Sequence, residues 1–255
     1  MRLFLLRLVS MAALTVTVIN SPPALGEKSA AINFNPPPPP PPDRGAPGNR
    51  GEGASRGGCT ALGVPLTAFV PNYQQSLNQD QTPTITQVWG LTSVEQPSFW
   101  FYVPYYQSSL RAIEFVLQTD QNKTIYRTNI SLPSVPGIVR VKLQNTPAIL
   151  ENNKSYHWFF KVKVACNHQE FAKLEYVEGW VQRVKLDVAL RDRLKQSSPQ
   201  QQVAIYAEKG LWYDALTRLA ELRLANPQNA ELAEDWKSLL KAIELENLAT
   251  QPFVY

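Results

Sequence analysis

The sequence predicts an α+β protein in which an antiparallel β-sandwich precedes a small helical region. Apolar residues alternate with period two over residues 59–184, and the period changes to 3.6 over residues 185–255. Before residue 59, an apolar leader and a proline- and glycine-rich stretch set the N-terminus apart. Apolar residues make up 44% of the 255 positions, so the chain can bury a substantial core.

Residues 1–26 have the organisation of a secretory signal peptide. Arg2 and Arg7 precede the apolar run LVSMAALTVTVI, and small residues lead up to Gly26. A membrane-spanning helix needs about 20 apolar residues, which is more than this run provides. We therefore expect cleavage after Gly26, a mature chain that begins at Glu27 without stable membrane insertion, and a periplasmic or secreted location.

Residues 27–58 predict a disordered linker. Pro36 to Pro42 favour a polyproline II rod, and DRGAPGNRGEGASRGG is polar and glycine-rich. The linker is a solvated tether, a spacer that holds the folded part away from a surface or partner, or a ligand for a proline-binding groove. The formal net charge of +4, two units of which leave with the leader, is too balanced to indicate a nucleic-acid partner.

Residues 59–184 predict the β-sandwich. Alternation indicates strands in PSFWFYVPY, RAIEFVLQ, TIYRTNISL, IVRVKL, SYHWFFKVKVAC and YVEGWVQRV, with turns near residues 120–123, 136–137 and 151–154. The segment LENNKSY, which ends at Tyr156, resembles the tyrosine corner of immunoglobulin-like and fibronectin type III domains. The resemblance implies that the Tyr156 hydroxyl bonds to the backbone a few residues upstream.

The two cysteines predict a disulfide bond in an oxidising compartment. Cys59 lies where the linker meets the sandwich, and Cys166 closes the inward face of a strand. In the chain-entropy model, a bridge across this loop would stabilise the fold by about 4 kcal/mol. The alternative is that both thiols stay reduced.

Residues 185–255 predict helices. A connecting helix occupies VKLDVALRDRLKQ, and Ser198 with Gln201 forms a capping box at the start of the next helix. Residues 198–227 resemble one tetratricopeptide repeat, with aromatic, glycine, small, large and proline residues at its spacing. These are Tyr206, Gly210, Trp212, Ala215, Leu219, Leu222 and Pro227.

The order of these features resembles a family of exported, mostly cyanobacterial proteins catalogued as domain of unknown function 928. The resemblance spans roughly residues 35–250. It is carried by the proline tract, DRGAPGNR, GASRGGC, PSFWFYVPY, KSYHWFFKV, EGWVQRV, YAEKGLWYDALTRLAELR and LAEDWKSLL. It implies the architecture described above and supplies no activity.

The sequence does not favour an enzyme, a cofactor or a metal site. It contains no His-Glu-x-x-His and no phosphate-binding glycine loop. A metal site at Cys166, His168 and Glu170 would compete with the disulfide bond. Glu175 and Glu178 could serve a hydrolase as paired carboxylates, although a solvated strand edge explains them better. We expect His157 to lie on the surface of its strand.

Two functions remain open from the sequence. The first is an envelope protein-interaction module, in which Tyr213 and Arg218, off the apolar stripe of their helix, contact an unidentified partner protein. In that case one groove of the helical hairpin stays open. Alternatively, the hairpin is a structural cap, with Trp212 and Trp236 packed against the sandwich.

The second function is a carbohydrate- or cell-wall-binding module. Sandwich domains bind sugars through exposed aromatic residues, and the candidates for glycan contact are Trp100, Tyr102, Tyr105 and Tyr106. The alternative for Trp100 and Tyr102 is that they cover the second sheet face or pack beneath the helices.

Overall fold

The computed structural model describes residues 32–38, 48–51, 63–76, 84–143, 146–167 and 171–254. The predicted signal peptide, Cys59, His168, Glu170 and the end of the proline tract lie outside these residues. Within the described ranges the chain is α+β, with two mixed sheets and with the helices at its C-terminus. In the same ranges, no helix is both long and apolar enough to span a membrane.

The described strands are β1 Thr67–Ala68, β2 Asn72–Ser76, β3 Thr84–Thr92, β4 Ser98–Val103, β5 Leu110–Thr119, β6 Thr124–Ile130, β7 Gly137–Lys142, β8 Ser155–Val164, β9 Lys173–Arg183 and β10 Phe253–Val254. The described helices are α1 Val188–Gln196, α2 Pro199–Glu208, α3 Trp212–Ala225 and α4 Ala230–Lys241. The strands predicted from alternation correspond to β4 through β9. Asn122 and Asn153, in two predicted turns, both have a φ of 61°, which asparagine tolerates well.

The strands form a four-stranded sheet of order β1-β4-β7-β10 and a six-stranded sheet of order β2-β3-β9-β8-β5-β6. Two pairs are parallel, β3 with β9 and β7 with β10, and the remaining neighbours are antiparallel. The prediction of wholly antiparallel sheets is therefore wrong at these two pairs. Both join segments far apart in sequence, as parallel pairing requires.

Aromatic side chains from the two sheets meet face to face in the core. Phe101 of β4 stacks on Phe160 of β8 with 4.0 Å between ring centroids. Phe99 contacts Phe115 of β5 at 4.9 Å, and Trp158 lies edge-on to Phe101 at 5.5 Å. This layer makes the two sheets a sandwich, because apolar residues of β4 at alternate positions face the larger sheet.

The predicted bond of Tyr156 is confirmed. Its hydroxyl accepts a hydrogen bond of 2.9 Å from the backbone amide of Glu151, five residues upstream. The predicted capping box is confirmed as well: Ser198 accepts from the Gln201 amide, and the Gln201 side chain accepts from the Ser198 amide. Both features depend on local sequence, which explains why they could be predicted.

Helix α3 joins the helical region to both sheets. The indole of Trp212 donates to the Phe69 carbonyl at 2.8 Å. The Tyr213 hydroxyl accepts from the Trp158 indole at 2.8 Å and donates to the Trp180 carbonyl at 3.1 Å. Trp212 and Trp236 are fully buried. The helices therefore dock on the sandwich, as the structural-cap alternative predicted.

Part of the predicted linker packs against the helices. Phe34 is buried and lies edge-on to Trp212 with 4.8 Å between ring centroids, and Ile32 is also buried. The Asn35 amide donates to the Ala207 carbonyl at the end of α2. The prediction of a linker without packed structure is wrong for residues 32–38, because Phe34 packs against Trp212 of α3 and Ile32 is also buried.

Residues 48–51 pack as well, in the fork where β3 and β9 separate. The Gly48 amide donates to the Thr86 carbonyl of β3, and Asn49 exchanges two backbone hydrogen bonds with Glu178 of β9. Arg50 is 2% exposed, and its Nη1 donates to the Ile243 carbonyl just beyond α4 at 2.7 Å. The linker prediction is therefore wrong here too, since this segment connects both sheet strands with the helical end.

The substitution Phe34→Ala is expected to lower the free energy of unfolding by about 2 kcal/mol, the value for exposing one large apolar side chain. The loss of stability stays near this transfer value if residues 32–38 can shift to fill the space left by the phenyl ring. Urea denaturation measures it. Asn33→Ala, which changes the exposed neighbour of Phe34, is the matched control and should leave stability unchanged. Equal stability of the two variants would show that residues 32–38 do not pack against the helices as described.

Candidate functional site

A cleft of about 740 Å³ lies where the helices meet the open end of the sandwich. Its walls are the turn between β3 and β4, Arg140 of β7, Arg183 at the end of β9, and one face of the α2–α3 hairpin. Three arginines and three carboxylates line it: Arg140, Arg183, Arg218, Glu95, Asp214 and Glu221. The cleft is therefore strongly polar, although it adjoins the apolar core.

Asp214 fixes the β3–β4 turn against the first turn of α3. Its Oδ2 accepts from the Ser93 amide at 2.9 Å, and its Oδ1 accepts from the Ser93 hydroxyl at 2.7 Å. Burial raises the pKa of the Asp214 carboxyl, whereas the two hydrogen bonds from Ser93 act in the opposite direction. Asp214 thus holds one wall of the cleft in position from inside the fold.

Arg140 reaches the cleft from the centre of the four-stranded sheet. Its Nη2 lies 2.6 Å from Oε1 of Glu221, and its Nε donates to the Ser98 hydroxyl at 3.0 Å. The guanidinium lies over the Trp100 ring at 5.0 Å from the centroid. Because Arg140 is mostly buried and Glu221 is 41% exposed, the carboxylate is the more easily displaced partner.

Arg183 has a similar arrangement in the same cleft. Its Nη1 donates to the Leu150 carbonyl at 2.6 Å, which anchors the side chain to the sandwich. Its Nη2 lies 3.0 Å from Oε1 of Glu95, and the Glu95 side chain is 59% exposed. Because Arg183 is mostly buried and Glu95 is mostly exposed, Glu95 is the partner that another carboxylate can replace more easily.

Arg218 differs from the other two arginines. It makes no ion pair with any described residue, whereas Arg140 and Arg183 each hold a glutamate. Its Nε, like that of Arg183, is shielded from water and has no hydrogen-bond acceptor among the described residues. The half-buried Tyr206 lies close by on α2. Burial and the Asp214 carboxylate raise the pKa of the Tyr206 phenol, whereas Arg218 lowers it. Arg218 is thus the cleft cation whose bonding capacity the described residues leave unused.

Of the two residues predicted to contact a partner, one lies in the cleft and the other is buried. Arg218 lines the cleft. The prediction that Tyr213 is exposed is wrong: it is 1% exposed and bonded to both Trp158 and Trp180. Tyr213 is therefore a core residue that supports the cleft from behind. The partner contact itself stays a prediction.

The structure separates the candidates for glycan contact. Trp100, Tyr102 and Tyr105 are all buried, and the Trp100 indole donates to the Thr217 hydroxyl of α3 at 3.1 Å. Tyr106 is 55% exposed. The predicted aromatic platform is therefore wrong, and the alternative that Trp100 packs beneath the helices is confirmed.

Glu175 and Glu178 do not form a carboxylate pair. Glu175 bonds to the Tyr105 hydroxyl on the inner side of β9, whereas Glu178 faces outward. His157 was predicted on the surface but is 4% exposed, stacked on Trp180, with its Nε2 3.0 Å from Glu178 Oε2. That prediction is wrong, because neighbouring rings cover the outer face of β8.

Of the residues predicted to form a disulfide bond or a metal site, the structure describes only Cys166. Cys166 follows β8 and is partly buried. Cys59, His168 and Glu170 lie outside the described residues, so the Cys59–Cys166 bond stays a prediction. Within the described ranges, no group of three or more histidine, cysteine, aspartate or glutamate side chains is arranged to hold a metal ion.

Sequence reasoning missed most of the cleft. Arg140 occurs in a strand whose alternation indicates an outward position, Arg183 occurs at the end of its strand, and Asp214 occurs in the first turn of a helix, where an acidic residue is common. The turn at residues 93–97 carried no signal that would connect it to a helix 121 positions later. These residues come together only through the docking of α3.

The buried Asp214 predicts a pH-dependent difference between the protein and Asp214→Asn. A carboxyl whose pKa is raised on folding contributes stability below its unfolded pKa and loses that contribution as pH rises through its folded pKa. The stability of Asp214→Asn relative to wild type should therefore increase from about pH 4 to about pH 8. Urea denaturation across this range measures the difference. A pH-independent difference would contradict the raised pKa.

The fold and cleft define an α+β protein of two mixed sheets with C-terminal helices and a polar cleft between them. The family model described as Domain of Unknown Function (DUF928) matches residues 51–253. The chain therefore belongs to this family.

No curated protein matches the chain. Among solved structures, the beta-glucuronidase of Parabacteroides merdae with glycerol in its active site is similar at 11% sequence identity and a TM-score of 0.21. The match covers 58% of this chain and 23% of that chain. A likeness this low carries no argument about fold or function.

Proposed function

We propose that the protein is a non-catalytic interaction module of the cell envelope, which holds a segment of a partner protein in the cleft. The observation that carries this proposal is the cleft itself. Its volume of about 740 Å³ lies within the range of ligand sites, about 300–1,000 Å³. Two of its arginines hold partly exposed carboxylates, and a third makes no ion pair among the described residues.

The architecture supports a binding role. The Tyr156 hydroxyl bond is consistent with an immunoglobulin- or fibronectin III-like sandwich, a fold frequent in cell-surface recognition. The α2–α3 hairpin is consistent with a tetratricopeptide-like unit: Gly210 has a φ of 69° at its turn, and Ala215 is fully buried where the helices approach. Such units build surfaces that receive peptide segments.

The polar groups of the cleft support binding in preference to catalysis. Both serines beside the arginines have structural bonds: Ser93 donates to Asp214, and Ser98 accepts from Arg140. The carboxylates are likewise engaged with Ser93, Arg140 or Arg183. The predicted signal peptide supports an envelope or extracellular location, where the partner would be a periplasmic or secreted protein.

Site-specific photocrosslinking tests this proposal. Val94 lies at the lip of the cleft and is 43% exposed, whereas Val135 is 45% exposed between β6 and β7, outside the cleft lining. A benzoylphenylalanine at position 94 should give a discrete adduct with one envelope protein, and the same residue at position 135 should not. No adduct from position 94, or the same adducts from both positions, would contradict the proposal.

A further inference from the structure

We propose that the cleft recognises a carboxylate group on the partner polypeptide and that Arg218 is the residue that binds it. This inference rests on the proposed function, because it specifies the chemistry of the segment held in the cleft. The arginine side chain keeps its positive charge under all physiological conditions and matches a carboxylate through two parallel hydrogen bonds. An acidic side chain of the partner segment would supply both acceptors.

The first argument is the contrast among the three arginines. Arg140 and Arg183 each hold a glutamate at 2.6 and 3.0 Å, respectively. Arg218 lines the same cleft, but no described carboxylate pairs with it. The Nε atoms of Arg183 and Arg218 are both shielded without an acceptor, but the Nη atoms of Arg183 bond to Leu150 and Glu95. Arg218 is therefore the cleft guanidinium without any acceptor among the described residues, and shielded donors are normally satisfied in folded proteins.

The second argument concerns the groups that surround Arg218. Tyr206 of α2 lines the same cleft as Arg218, and its hydroxyl can donate a further hydrogen bond to the same carboxylate. Asp214, one turn before Arg218 on α3, has both oxygens occupied by Ser93, and Glu221, three residues after Arg218, is paired with Arg140. Neither carboxylate therefore pairs with the guanidinium, and the position beside Arg218 stays available to an external acid.

The third argument distinguishes a carboxylate from a phosphate or another polyanion. Glu95 and Glu221 lie at the rim with exposed fractions of 59% and 41%. Because each of these carboxylates pairs with Arg140 or Arg183, one guanidinium charge remains unpaired, which matches a single carboxylate better than a dianionic phosphate or an anionic glycan. The exposed Val94 beside them offers an apolar contact to a neighbouring side chain, which suits a polypeptide.

A peptide array tests the inference. Seven-residue peptides of varied sequence, each made with glutamate, glutamine or phosphoserine at the centre, are probed with the purified mature protein. We expect the glutamate members to be retained over their glutamine counterparts, with a preference that weakens as salt is added. Arg218→Gln should lower the preference on the order of tenfold, as loss of a charge-assisted bidentate bond requires.

Two further variants make the test specific. Arg191→Gln removes an exposed guanidinium from α1, outside the cleft lining, and should bind like wild type. Arg218→Lys keeps the charge but loses the planar pair of donors, so it should retain only part of the preference. Because Arg218 has no described ion pair to lose, both Arg218 variants should melt near the wild-type temperature.

The outcomes separate this inference from the proposed function. Equal binding of glutamate and glutamine peptides, stronger binding of phosphoserine peptides, or unchanged preference in both Arg218 variants would overturn the carboxylate inference. If the Val94 adduct still forms in those cases, the cleft remains the partner site. Absence of both peptide binding and the Val94 adduct would overturn the two proposals together.

Discussion

The substitution Tyr213→Ala is expected to lower the free energy of unfolding by about 3–5 kcal/mol, the range for truncating a large buried aromatic residue. Tyr213 is 1% exposed, and its ring lies 5.3 Å from that of Phe99 in the sandwich core. Its removal also leaves the Trp158 indole without its acceptor. Because α3 and both sheets share this contact, thermal unfolding should remain a single transition at a lower temperature.

Tyr213→Phe is the matched control for this prediction. It keeps the ring and removes the hydroxyl that links the Trp158 indole to the Trp180 carbonyl. The expected loss is about 1–3 kcal/mol, the cost of leaving a buried donor unsatisfied. A Tyr213→Ala protein with the wild-type melting temperature would contradict the burial of this side chain and would restore the earlier expectation that it faces a partner.

Gly179→Val is expected to destabilise the protein by about 3 kcal/mol or more, at or beyond the upper end for overpacking. A Cβ at Gly179 would lie 2.5 Å from the Trp158 ring and 2.7 Å from the Val88 carbonyl oxygen. Neither neighbour can move away easily, because Trp158 is bonded to Tyr213 and the oxygen belongs to the β3 backbone. Chemical denaturation, or the yield of soluble protein, measures the effect.

A control for Gly179 comes from Gly63, where no atom lies within 4 Å of an added Cβ. Gly63 has a φ of 66°, so Gly63→Asn is the suitable change, since asparagine accepts this conformation. It should leave stability nearly unchanged. If Gly179→Val were equally harmless, the close approach of β9, Trp158 and Val88 would be wrong.

The sequence allowed the local elements to be predicted, because their signals lie within a few residues. The alternation in SYHWFFKVKV placed Tyr156, Trp158 and Phe160 on the inner face of β8, where the structure has them. The Ser198–Gln201 capping box and the Tyr156–Glu151 bond span three and five residues. Each of these features depends only on residues that are close together in the sequence.

The contacts that build the cleft could not be predicted in the same way. Tyr213 lies off the apolar stripe of α3, but the first turns of that helix, from Trp212 to Leu216, are buried on every side. A helix end that is surrounded by protein has no polar face, so the hydrophobic periodicity of its sequence does not show which side faces the core. The packing of residues 32–38 and 48–51 was not predicted for a related reason. Glycine, proline and arginine indicated disorder there, although Phe34 and Arg50 are buried.

Hydrogen–deuterium exchange on the complex with the partner tests the central claim, that the cleft is the partner site. The segment identified from the Val94 adduct is added as a synthetic peptide, and exchange is compared with that of the free protein. Slower exchange at residues 93–98 and on the α2–α3 hairpin, with no change at the β5–β6 turn, is the predicted result. Protection confined to another surface, such as the outer face of β8 and β9, would contradict the claim.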